Sequence, residues 1–155
     1  MKTPLRYAGG KSKAYNIITK ELSSISPDKI VSPFIGGGSL EVRWSSELNY
    51  KVQGYDIFEG LVNFWNVLLN KKNDLILELN KINVSREEYS RIKEQLLCWE
   101  VTQDLLKDWN TSYYKRNPIK LSDVQAAAYY YFNHNLSYGP MYLGWISKIY
   151  RSEEH

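Results

Sequence analysis

The run Ser32-Pro33-Phe34-Ile35-Gly36-Gly37-Gly38-Ser39 constrains the fold of this chain more than any other segment. It follows Lys29-Ile30-Val31, a short, apolar, β-branched stretch that reads as a buried strand. It precedes a helical pattern carrying Leu40, Val42, Arg43, Trp44 and Leu48, with Ser39 placed to cap that helix. Glycines between a strand and a helix permit positive φ and let a ligand lie directly on the backbone. Lys51 to Asp56 reads as a second strand, and Leu61 to Leu69 as a helix with Val62, Trp65 and Leu69 on one side. Upstream, Ile17, Ile18, Leu22 and Ile25 recur at helical spacing and predict a helix over 11–25 with one buried stripe. The order β, loop, α, β, α is the opening of an open parallel sheet, so the expected class is α/β.

The loop's chemistry narrows the ligand. Asp56 comes 20 residues after Gly36, at the end of the second expected strand. In Rossmann-type sites a carboxylate there accepts hydrogen bonds from a ribose diol. Glycine loop and carboxylate together point to an adenosine-containing ligand at the carboxyl ends of the strands. Glu41 stands where a full G-x-G-x-x-G would place its last glycine, which argues against NAD. The structural alternative is a tight strand-to-helix turn with an unrelated Asp56.

A second glycine segment, Tyr7-Ala8-Gly9-Gly10-Lys11-Ser12, ends like a phosphate-binding P-loop. A P-loop needs a glycine five positions before its last one, and that position is Leu5. The few residues before Ala8 also leave little room for the buried strand that feeds such a loop. The P-loop reading fails on both counts.

The second half has a different character. Asp74 to Ile82 is a short amphipathic helix pattern, and Ser85-Arg86-Glu87-Glu88 is a capping box opening a longer helix toward Trp99. Asn110 to Pro118 is polar and tyrosine-bearing. A second capping box, Ser122 to Gln125, precedes a helix from Asp123 to about Asn133, after which Gly139-Pro140 and Gly144 punctuate a loop or hairpin. No strands alternate with these helices, so this half reads as an inserted helical module.

Bulk properties exclude more than they assign. At 155 residues the chain is of single-domain length, and 43% hydrophobic residues suffice for a core. The 13 Tyr and 5 Trp, many after residue 98, fit either a surface that meets something polar or a partly polar core. A net charge of +3 is compatible with nucleic-acid binding without diagnosing it. The single cysteine, Cys98, excludes an internal disulfide and reads as a small core residue. His134 and His155 have no partners at zinc spacing, so no metal is expected. Without a signal peptide or a run of about 20 apolar residues, a soluble, cytoplasmic protein is expected.

Taken in order, P-L-R-Y-A-G-G-K, V-S-P-F-I-G-G-G-S and G-Y-D-I-F resemble the Dam-type (D12 class) DNA adenine-N6 methyltransferases. In that family an aromatic-A-G-G-K segment precedes a P-F-x-G-x-G-S loop, and both lie against S-adenosylmethionine. A helix ending in asparagine and a DNA-reaching loop follow, and Ala126 to Gly139 is similar in kind. The resemblance implies a partial Rossmann-like methyltransferase fold, with 1–70 as the cofactor-binding α/β part. Residues 71–155 would form a mainly helical target-recognition module for double-stranded DNA. It implies that Tyr7, Ala8, Gly9 and Lys11 line the cofactor's methionine end. Phe34, Gly36, Gly38 and Ser39 would form its floor, Asp56 would take the ribose hydroxyls, and Ile57 would pack on the adenine. Arg6 matches a basic position that faces DNA. Lys115, Arg116, Asn133, Asn135, Tyr138 and Lys148 are candidates for phosphate or base contacts, since Asn reads adenine edges and Lys or Arg neutralise phosphate.

The family's catalytic motif is D-P-P-Y, which binds the target amino group and stacks on the flipped base. The sequence contains no D-P-P-Y, N-P-P-Y or close variant; after Pro33 its prolines are Pro118 and Pro140, in R-N-P-I-K and Y-G-P-M. No catalytic residue is therefore assigned in this chain. Three readings follow: a truncated or split adenine methyltransferase that needs a second chain for catalysis, a non-catalytic S-adenosylmethionine- or DNA-binding remnant, or a small helical partner-binding protein with a structural glycine loop.

Overall fold

The computed structural model describes residues 2–102, 119–139 and 142–147. Helix α1 (Tyr15–Ile25) follows a single 3-10 turn, Ser12–Ala14. Its inward stripe is Tyr15, Ile18 and Leu22, at i, i+3 and i+7, packed with Ile30, Leu40 and Trp44. The expected stripe is corrected at two positions: Ile17 is 72% exposed and Ile25 71%. Ile17 falls on the far face once the large Tyr15 ring sets the helix rotation. Ile25 is the last helical residue, before Ser26, whose φ of 44° is left-handed. Ser26 donates its N–H to Leu22 at 3.0 Å and closes the helix.

Strand β1 (Lys29–Ser32) and strand β2 (Lys51–Gly54) pair in parallel, Lys29 opposite Lys51 through Ser32 opposite Gly54. A parallel pair needs a crossover, supplied by helix α2 (Glu41–Leu48). Asn49, at φ 55°, turns the chain out of α2 toward β2. Trp44 is buried and donates its indole N–H to Thr19 Oγ1 at 2.9 Å, tying α2 to α1. The expected strand over 51–56 is shorter as a regular element. Backbone pairing nonetheless continues, because Tyr55 donates to Ser32 O (2.7 Å) and Ile35 to Tyr55 O (2.8 Å).

The two compact units are Met1–Phe58 and Glu59–His155. Helix α3 (Glu59–Asn70), read from the sequence with the first half, packs within the second unit against helices α4 (Lys72–Leu79) and α6 (Asp123–Leu136). Its buried side chains are Leu61, Phe64, Trp65 and Val67. Val62 is half-buried and Leu69 is 75% exposed, so the expected Val62–Trp65–Leu69 face is corrected. Phe64 decides the rotation, with its ring parallel to that of Tyr131 on α6 at 5.8 Å.

Helix α5 (Arg86–Thr102) carries Tyr89, Ile92, Leu96 and Trp99 into one core with Ala126, Tyr129, Phe132 and Leu136 of α6. Ala126, Ala127 and Ala128 are all buried, and α6 packs against α3, α4 and α5, which makes it the central helix of its unit. Both capping predictions hold at their serines. Ser85 Oγ accepts from Glu88 N–H at 3.1 Å. Ser122 and Gln125 exchange both bonds of a capping box. After α6 the chain turns back in a hairpin closed by an antiparallel bridge between Ser137 and Ile146.

Candidate cofactor site and nucleic-acid face

In the first unit, the two glycine segments meet at one place. Leu5 is buried and anchors the N-terminal segment. Thr3 Oγ1 donates to the Gly37 carbonyl, and Leu5 N–H donates back to Thr3 Oγ1. The Tyr7 side chain then packs against the glycine loop. A Cβ on Gly37 would stand 2.4 Å from Tyr7 Cβ, and one on Gly36 would stand 3.0 Å from Tyr7 Cε1. At Gly36 and Gly37 the missing side chains are what lets Tyr7 pack against the loop backbone. Among the described residues no strand feeds the Tyr7–Lys11 segment, in keeping with the rejected P-loop.

Ser39 does not cap α2, whose N-cap is Leu40 without a side-chain bond. Ser39 Oγ instead accepts the Lys11 N–H at 2.9 Å, bridging the two loops. The start of α2 is served by Glu41, whose carboxylate accepts from Ser32 Oγ (2.6 Å) and Leu40 N–H (3.2 Å). A fixed carboxylate at a helix N-terminus takes the place an anion would occupy. This agrees with a ligand that presents no pyrophosphate there.

Asp56 closes the arrangement. Its two oxygens accept from Gly36 N–H at 3.0 Å and Phe58 N–H at 3.1 Å. Each carboxylate oxygen has two lone-pair directions, so acceptor capacity remains after both bonds. The Tyr7 hydroxyl is held above its ordinary pKa, first by burial and then by the Asp56 charge. Tyr7, Gly36, Gly38, Ser39 and Asp56 thus belong to one constellation. Gly54 permits it, since a Cβ there would stand 2.4 Å from Ile35 Cδ1 as the loop crosses the end of β2. Lys11 is exposed and turns its ammonium onto the Gly9 carbonyl at 3.1 Å; Ala8 and Gly9 are exposed beside it. Phe34 and Ile57 are 84% and 92% exposed, apolar groups with no protein cover in their own unit. Sequence reasoning missed Thr3 and Tyr55, which bond to distant backbone through a hydroxyl and through the main chain respectively and leave no periodic trace.

In the second unit the candidates separate. Tyr138 is 66% exposed at the base of the hairpin. Asn135 is half-buried and donates to its own helix at Tyr131 O, 3.1 Å away. Asn133 is fully buried, and its side-chain oxygen accepts the Leu143 N–H at 2.8 Å, so it shapes the hairpin. Arg6, in the first unit, is exposed. Lys115, Arg116 and Lys148, like the Asn110–Pro118 stretch, lie outside the described residues.

Among the described residues no helix is long and apolar enough to cross a membrane. No curated protein sequence matches the chain. The family model for D12 class N6 adenine-specific DNA methyltransferases matches residues 7–143, from the tyrosine packed against the glycine loop to the turn that Asn133 holds. A match over that much of the sequence shows the relationship: the chain belongs to the D12 class N6 adenine-specific DNA methyltransferase family.

Proposed function

We propose that this chain is the S-adenosylmethionine- and DNA-binding part of a site-specific DNA adenine-N6 methyltransferase, with the catalytic D-P-P-Y element supplied from outside these 155 residues, as by a second polypeptide. The observation that carries the reading is the convergence of Tyr7, Gly36 and Asp56, drawn from three separate motifs, at the ends of a parallel strand pair. On this reading β1 and β2 are the first strands of a Rossmann-like sheet. Val31, 56% exposed on β1, supports further cover of that sheet.

The residues fit an adenosine-bearing cofactor. Phe34 and Ile57 offer apolar surface for a purine, Asp56 retains acceptor capacity for a ribose diol, and Lys11 brings positive charge for a carboxylate. When bound, S-adenosylmethionine supplies an electrophilic methyl. The chain's own part is orientation, because transfer to an amino nitrogen requires an in-line approach. The helical second unit, with Tyr138 and the segment holding Lys115 and Arg116, is the part assigned to double-stranded DNA.

Isothermal titration with S-adenosylmethionine, on wild type and Asp56→Ala, tests the cofactor site. Saturable heat is expected from wild type, with at least about tenfold weaker binding in the variant. No heat from a folded wild type overturns the cofactor assignment. Mixing the chain with a partner carrying D-P-P-Y is expected to restore adenine methylation on duplex DNA. Cofactor and DNA binding with every such mixture inactive would instead support a non-catalytic binding protein.

A further inference from the structure

The hairpin that follows α6 displays a tryptophan with more support than an incidental surface residue receives. Trp145 is 80% exposed. The residue two before it, Leu143, has φ 54°, a left-handed conformation that costs energy for a bulky side chain and persists only where its surroundings enforce it. Those surroundings are specific. Buried Asn133 accepts the Leu143 N–H at 2.8 Å. Tyr89 Oη and Lys93 Nζ, both from α5, donate to the Gly144 carbonyl at 2.9 and 3.2 Å. Ile146, the next residue, is buried in the core and paired with Ser137. The indole is thus exposed while the backbone on either side of it is fixed.

Beside the indole lies a cleft of about 430 Å³ between α5 and the hairpin, walled by Arg86, Lys93 and Glu94 and floored by Tyr89 and Ile146. Lys93 Nζ sits 5.8 Å from the centre of the Trp145 ring. Partial burial weakens its hold on its proton, which an anion in the cleft would reverse. A rigid, exposed aromatic face flanked by cations is the arrangement that binds unpaired nucleotides, the base stacking and the phosphate meeting lysine or arginine. Glu94 makes the wall mixed in charge, which suits a single stacked nucleotide better than a bare polyanion.

We propose that this cleft is a site for one unpaired nucleotide, its base stacked on Trp145 and its phosphate held by Lys93 and Arg86. The inference rests on the reading that the chain binds DNA, and adds a preference for single-stranded or locally opened DNA at this cleft. Fluorescence anisotropy with a labelled single strand of about ten nucleotides, and with the matching duplex, tests it on wild type, Trp145→Ala, Trp145→Phe and Lys93→Gln. For the single strand, Trp145→Ala is expected to weaken binding about tenfold, while Trp145→Phe stays within about threefold. Lys93→Gln should weaken binding and flatten its salt dependence. Far-ultraviolet circular dichroism of Trp145→Ala should match wild type, as its side chain is outside the core. If Trp145→Ala binds the single strand as tightly as wild type while wild type still binds DNA, the nucleotide site is wrong and the DNA reading survives. If folded wild type binds neither strand form, both fall.

Discussion

Tyr7 and Gly37 stand so close that a single methyl group cannot be placed between them: a Cβ on Gly37 would lie 2.4 Å from the tyrosine's own Cβ. The contact joins an N-terminal segment to a loop 30 residues further along the chain. It makes the aromatic ring part of the loop's backbone support. Gly37→Ala should therefore displace Tyr7 and lower stability by about 1–3 kcal/mol, the usual range for overpacking. A chemical denaturation midpoint equal to wild type would contradict the packing.

Asn133 is buried in its unit, where its side-chain oxygen holds the Tyr142–Gly144 turn through Leu143. Asn133→Ala removes the acceptor and should cost about 1–3 kcal/mol. It should also free Trp145, which would show as a loss of near-ultraviolet circular dichroism. If the signal and the melting temperature both stay at wild-type values, the turn is held by other groups.

Tyr89 gives a pH signature. Burial pushes its hydroxyl up to about 12, above the ordinary value of about 10 for an unfolded tyrosine. A raised folded pKa means that stability is fully present below about pH 10 and falls as the unfolded chain alone loses the proton, up to about pH 12. Urea midpoints measured across that window should fall more steeply in wild type than in Tyr89→Phe. The variant should carry a constant loss of about 1 kcal/mol from the missing bond to Gly144. Parallel profiles would show that the hydroxyl titrates as it does in water.

At the other end of the core helix, Ser122 and Gln125 exchange both capping-box bonds. Ser122→Ala should lower stability by about 1 kcal/mol, and Ser122→Asp should recover most of it because aspartate caps equally well. A neutral alanine variant in thermal melts would mean that tertiary packing alone starts α6.

Local rules were sufficient wherever one residue type could do only one thing in its place. The alternation of a short β-branched run with a glycine run and then a helical pattern placed β1, the loop and α2 in their observed order. Serine three residues before glutamate or glutamine placed both later helix starts. Leu5, in the place of a P-loop glycine, excluded that site, and the same residue is the buried anchor of the segment. What the local pattern did not contain was helix rotation and the partner of each polar group. Ile17 and Ile18 are equally apolar, and only the Tyr15–Trp44 packing decides which faces inward. Ser39 has the chemistry of a helix cap, yet the Lys11 amide, 28 residues away, takes its oxygen. The side-chain carbonyl of Asn133, inside α6, is taken by the Leu143 amide beyond the helix. Periodicity and propensity act over a few residues, and so the sequence by itself determined the elements, their order and the family. The partner of each hydrogen-bonding group is chosen across many residues of chain, and only the tertiary structure decided it.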